Sequence, residues 1–189
     1  MCQASLVAVE YWAKKLIARR LNLHKKSNKF VNAEFAWIIR DHPFRLKIFR
    51  NDMFDLEPTL SFLESQPTIT VWEQPNATHC SVPHEILPHI IDVALDPWML
   101  PIFTPRPIVR IATKIEHGDA AAERQFVDVL GAYGQGLRSL DLVRDVVEES
   151  LPMAEFIGLL APKLALLKCL SVRNRGEMVR VPNAPGTFQ

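Results

Sequence analysis

Apolar residues recur along this chain in two different rhythms. Over 5–21 (LVAVEYWAKKLIARRLN) they fall at helical spacing, with Val7, Tyr11, Trp12, Leu16 and Ile17 on one side and Lys14, Lys15 and Arg19 on the other. This predicts an N-terminal amphipathic helix. LNLHKKSNK reads as a polar break, and 32–41 as a second short helix capped by Asn32 and stopped before Pro43. From residue 44 the rhythm changes. Six short β-branched or alternating segments follow, at 45–51, 68–74, 89–96, 108–115, 137–145 and 167–174. Helical stretches stand between some of them. Leu56, Leu60 and Leu63 share one face, as do Phe126, Leu130 and Tyr133, and Met153, Phe156 and Leu160. Ser150 is the expected N-cap of the last helix, and Pro162 its end. The connection DPWMLPIFTPRP is too rich in proline for a long helix and predicts turns or single helical turns.

The six segments share one frame: an apolar residue, two variable residues, an apolar residue, one variable residue, one mostly apolar residue. Ile90-Val93-Leu95, Leu137-Leu140-Leu142 and Leu167-Leu170-Val172 fit it well. Ile108-Ile111-Thr113, Ile69-Trp72-Gln74 and Leu46-Phe49-Asn51 fit more loosely. The central positions 49, 72, 93, 111, 140 and 170 are 23, 21, 18, 29 and 30 residues apart. Leucine-rich repeats have a period of about 20–29 residues, and each repeat buries its apolar stripe only by stacking on the next. The expected fold is therefore α/β: a short leucine-rich-repeat-like solenoid with a parallel concave sheet, preceded by an N-terminal amphipathic helix. Its parts are a basic helical segment at 1–40, the repeat domain at 41–175 and a flexible tail at 176–189. A doubly wound α/β layer fold is the competing architecture.

Composition narrows the function classes. Only 7 glycines in 189 residues argue against folds built on glycine-rich nucleotide loops, and 14 prolines argue against one long helical bundle. Net charge is +1, yet residues 1–30 set seven Lys and Arg against Glu10 alone. A basic start thus precedes a mildly acidic body. Cys2, Cys80 and Cys169 are odd in number and far apart, so they predict a reducing compartment, cytoplasm or nucleus. No apolar run is long enough for a transmembrane helix.

No motif for catalysis survives inspection. In HEILPH, Pro88 stands where a zinc protease would place its second histidine, and His79, Cys80, His84 and His89 lack a ligand spacing. GAYGQG follows a helix instead of preceding one, which suits a helix stop and not a phosphate loop. Cys169 reads as a packed strand residue. Neither cofactor nor metal is expected, and no enzymatic activity. The variable strand positions Arg50, Glu73, Asp92, Arg110, Asp141 and Ser171 should line one face and form the candidate protein-binding surface. Their mixed signs suit a protein partner and not a nucleic acid.

A family resemblance is carried by Phe62, Leu63, Ser65, Gln66, Pro67 and Ile69, and then by Leu87, Pro88, Ile90, Val93, Arg106, Pro107, Ile108 and Ile111. With these residues the stretch 43–175 resembles the C-terminal leucine-rich-repeat-like region of fungal F-box proteins. The resemblance implies a substrate-recognition arm of a ubiquitin ligase receptor, whose F-box would bind the ligase adaptor. The chain departs from the family at 1–40, where a basic helical pattern stands in place of an F-box opening. VPHEILPHII at 82–91 mimics that opening inside the repeat frame. The expected function is a non-enzymatic protein–protein interaction module. A small α/β enzyme with an unrecognised site and a non-functional truncated paralogue are the alternatives.

Overall fold

The structure, a computed structural model, describes residues 20–23, 45–52, 55–75, 82–83, 85–104, 106–116 and 118–175. Among the described residues seven strands form one sheet: β1 (Arg20–Leu23), β2 (Ile48–Asn51), β3 (Val71–Gln74), β4 (Asp92–Leu95), β5 (Arg110–Ile115), β6 (Ser139–Asp145) and β7 (Cys169–Arg175). All neighbours are parallel, and their spatial order is their chain order. A doubly wound sheet reverses its strand order at a switch point; this sheet has no reversal. Among the described residues three α-helices join strands, α1 (Leu56–Ser65), α2 (Ala120–Gly131) and α3 (Met153–Leu160). The proline-rich connection after β4 is a 3-10 helix, Pro97–Phe103, and a second one, Ala161–Lys163, follows α3.

The strand register is the frame read from the sequence. Phe49 pairs with Trp72, Trp72 with Val93, Val93 with Ile111, Ile111 with Leu140 and Leu140 with Leu170. The first five of these six are fully buried. On one flank runs a second buried row, Leu46, Ile69, Ile90, Ile108 and Leu137. On the other runs a third, Asn51, Gln74, Leu95, Thr113 and Leu142. Each fully buried aliphatic or aromatic side chain stabilises by roughly 1.5–3 kcal/mol, so the rows hold the sheet to its backing layer. The third row admits polar groups because they bond along it: Asn51 Nδ2 donates to Gln74 Oε1 (2.7 Å) and Thr113 Oγ1 to the Leu95 carbonyl (2.7 Å).

The backbone repeats with the same phase. The carbonyls of Lys47, Thr70, Ile91, Val109 and Arg138 each accept two N–H groups from the next unit, those of 70/71, 91/92, 109/110, 138/139 and 168/169. Each carbonyl stands two residues before a central position. Five turns entering five strands are therefore built alike, although the spacing between them varies from 18 to 30 residues.

The backing layer varies with that spacing. Behind β2, the Phe62 ring of α1 packs on Phe49 (centroids 5.1 Å apart). Behind β3, Phe103 of the 3-10 helix meets Trp72 edge-on at 5.7 Å. Arg106 closes this unit. Its guanidinium donates to the carbonyls of Ile86 (2.5 Å) and Ile102 (3.0 Å) and lies over the Phe103 ring. Burial lowers its pKa from the usual guanidinium range. Tyr133 donates its hydroxyl to the Leu100 carbonyl, and burial raises its pKa. Leu87, in the turn before β4, has φ 56° with its side chain buried. Gly134 is needed for a close approach: a Cβ there would stand 2.2 Å from the Lys163 carbonyl oxygen.

Around β6 the layer holds an ion pair. Arg144 and Glu123 are both about 1% exposed in their side chains. Arg144 Nε and Nη2 donate to the two Glu123 oxygens at 2.8 and 2.9 Å, and Nη2 also donates to the Leu151 carbonyl (2.7 Å). Glu123 further accepts the Leu151 N–H (2.8 Å), and the Arg144 guanidinium stacks on Phe156. Both Glu123 oxygens are engaged by protein, and one face of the guanidinium is covered by Phe156, as a buried pair requires.

Three expectations are corrected. Arg20–Leu23, read as a helix end and polar break, is a strand paired with β2; the rest of the expected N-terminal helix, the expected helix at 32–41 and the tail at 176–189 lie outside the described residues. Ser150 does not cap α3, whose N-cap is Pro152. Its hydroxyl instead donates to the Gly118 carbonyl (2.8 Å) and accepts the Val147 N–H, tying two loops. Cys169 is exposed because it is the register partner of Ser139, which pairs with Arg110 on the uncovered face of the sheet; Leu170, in the central row, is 43% exposed because β7 has no following unit among the described residues.

Candidate functional site

Strands β2 to β6 alternate half-exposed and buried residues, so one face of the sheet is covered and the other is open. The open face carries all six candidate residues in two rows flanking the buried central row. Asp92 and Arg110 are register partners in the row before it. Arg50, Glu73, Asp141 and Ser171 lie in the row after it, with Ala94 and Ala112 between Glu73 and Asp141.

The charges on this face meet across neighbouring strands. Arg50 Nε lies 2.8 Å from Glu73 Oε2, without the alignment of a hydrogen bond. Arg110 Nη1 lies 3.5 Å from Asp92 Oδ2. Partial burial raises the Asp92 pKa above 3.8, against the opposing pull of Arg110. Asp141 is engaged by Arg173 of β7 at 3.2 Å. Lys114 bridges Asp145 (2.7 Å) and Glu116 (2.8 Å), and these hydrogen bonds raise its pKa above 10.5. Arg173 and Lys114 were not among the candidates. Both sit two residues beyond the row of Arg50 and Asp141 in register, so counting the frame further along the longer strands β5–β7 would have found them.

Apolar groups share the surface. Ile48 and Val71 are half-buried register partners on the open face. Ile91 (42% exposed) and Val109 (41% exposed) stand side by side at the edge where β4 and β5 begin.

Among the described residues no three His, Cys, Asp or Glu converge as a metal site, and no helix is long and apolar enough to cross a membrane. Of the histidine and cysteine cluster only His89 is among the described residues, and it is exposed. The Glu123–Arg144 ion pair is buried in the core.

No protein-family model matches the chain, and no curated protein is detectably similar to it.

Proposed function

We propose that the chain is a non-enzymatic protein–protein interaction module, a leucine-rich-repeat-like solenoid whose open sheet face holds a protein partner. The observation that carries this reading is the open face itself: two rows of opposite charges, already aligned across strands, on a backbone repeated with one phase. Sequential parallel order and one covered face support the solenoid, since stacked repeats contact only their neighbours. Charges of both signs support a protein partner, because a nucleic-acid surface would be basic throughout. The resemblance to fungal F-box proteins supports a finer proposal, that the face is a substrate-recognition arm of a ubiquitin ligase receptor. The positions that carry that resemblance meet in space: Arg106 reaches the Ile86 carbonyl beside Leu87 and Pro88.

The test reverses charges on the face. The tagged chain and an Arg110→Asp, Asp141→Arg variant of equal thermal stability are used to capture proteins at native expression. The expected result is a partner held by the first and lost by the second. Capture of the same proteins by both would overturn the reading. Recovery of a cullin-ligase adaptor with the partner would support the ligase role, and its absence would remove it.

A further inference from the structure

The turns that enter the strands place six residues in one line, Lys47, Thr70, Ile91, Val109, Arg138 and Lys168. Each stands two residues before a central position of the frame. The line crosses the sheet at the strand beginnings, beside the open face and distinct from its charge rows. Its middle is the exposed pair Ile91 and Val109. Its ends are cationic: Lys47 and Lys168 are exposed and Arg138 half-exposed. Among the described residues no carboxylate pairs with any of these three cations. The nearest carboxylate in register, Asp92, faces Arg110. The opposite ends of the strands differ in sign, since Glu116 and Asp145 gather there around Lys114.

We propose that this line is a docking strip for an acidic segment of a protein partner, anchored by one aliphatic or aromatic side chain between Ile91 and Val109. The proposal rests on the interaction-module reading and names the chemistry of its partner. Three features carry it. First, the charge is complementary: free cations flank the apolar pair on both sides. An acidic segment would neutralise them without displacing an existing ion pair, unlike any ligand of the Arg50–Glu73 or Asp141–Arg173 pairs. Second, the apolar pair is central, where a desolvated anchor contributes most, and the charges are peripheral, where they steer association. Third, the strip is rigid. Five of its six residues hold two N–H groups each through their carbonyls, so little backbone freedom is lost on binding.

Spacing sets the length of the partner segment. Neighbouring strands are about 4.8 Å apart, so Lys47 lies about 12 Å from the centre of the Ile91–Val109 pair, and Lys168 the same distance on the other side. An extended chain advances about 3.3 Å per residue. Acidic residues should therefore lie about four positions to either side of the anchor.

The test selects displayed random twelve-residue peptides on the full chain. Enrichment of peptides with an apolar residue flanked by Asp or Glu is expected. Their affinity should fall at least tenfold in an Ile91→Ser, Val109→Ser variant and several-fold in a Lys47→Glu, Lys168→Glu variant. The second loss should shrink as salt rises. An Arg124→Ala variant, which removes an exposed ion pair with Glu155 on the helical side, should bind them unchanged. Enrichment of basic or uncharged peptides, retention on both strip variants, or no enrichment at all would overturn the proposal. The two readings fail separately. A natural partner lost by the Arg110→Asp, Asp141→Arg variant but kept by both strip variants would sink the strip and leave the module standing. A partner kept by all of them would sink both.

Discussion

Two ion pairs join neighbouring elements of this molecule with almost the same distance and opposite surroundings. Glu123 and Arg144 meet at 2.8 Å on the covered side, each about 1% exposed. Arg50 and Glu73 meet at 2.8 Å on the open side, each about 30% exposed. In water an ion pair competes with hydration and salt, and its net contribution is about 0–1 kcal/mol. In the core neither charge has water to return to, and removing one partner strands the other. The covered face therefore uses charge to fix one arrangement of α2, β6 and the loop at Leu151. The open face carries charge that remains available to something outside the molecule.

The largest expected effect follows from that difference. Glu123→Ala should destabilise by about 3–5 kcal/mol, because Arg144 loses its only carboxylate partner among the described residues and keeps neutral ones, the Leu151 carbonyl, Asn174, Met153 and the Phe156 ring. Arg50→Ala should change stability by less than about 1 kcal/mol. Urea unfolding of both variants measures the contrast. Equal losses would mean that the two faces do not differ in the way described. A Glu123→Leu, Arg144→Met double variant sharpens it. It should recover most of the single loss, since matched apolar residues avoid the desolvation of both charges.

Adjacent residues of β6 extend the comparison to apolar groups. Leu142 is fully buried and Val143 half-exposed, one position apart. Leu142→Ala should lose about 2–5 kcal/mol, and Val143→Ala about 0.5 kcal/mol or less. A one-residue slip of the register would exchange the two results.

The comparison also explains what could be read from the chain. The rows through Phe49, Trp72, Val93, Ile111 and Leu140 were legible because a strand buried on one face repeats with period two and each unit repeats the strand. The same count points Arg144 inward beside Leu140 and Leu142, but only the fold supplies Glu123 from α2 to meet it. β1 was hidden because Arg20–Leu23 continues an amphipathic run, and nothing local distinguishes a four-residue strand from a fraying helix end. Ile91 and Val109 fall at variable positions of the frame; their apolar character is visible in the sequence and their exposure at the turns is not. Ser150 resembles an N-cap by composition. Its hydroxyl answers Gly118, 32 residues away, a contact that no local pattern encodes. Cys169 appeared packed because its segment is apolar; it is exposed because it takes a variable position of the frame, in register with Ser139 on the open face.

The smallest effect separates the faces by pH. Asp92 lies on the open side with its pKa raised above 3.8, chiefly by partial burial, with Arg110 pulling the other way. A carboxyl that binds its proton more tightly when folded stabilises the fold below its unfolded pKa, and this contribution is lost as pH rises through the folded value. The wild type should therefore lose stability relative to Asp92→Asn as pH rises from 3.8, and the gap should level off once Asp92 is fully ionised. Its size should stay under about 1 kcal/mol, because the group is partly solvated. Urea midpoints of both proteins between pH 3 and pH 7 measure it. A gap that opens in the opposite sense would show that Arg110 outweighs burial at this site, and that the Asp92–Arg110 contact holds the sheet together in the manner of the buried pair.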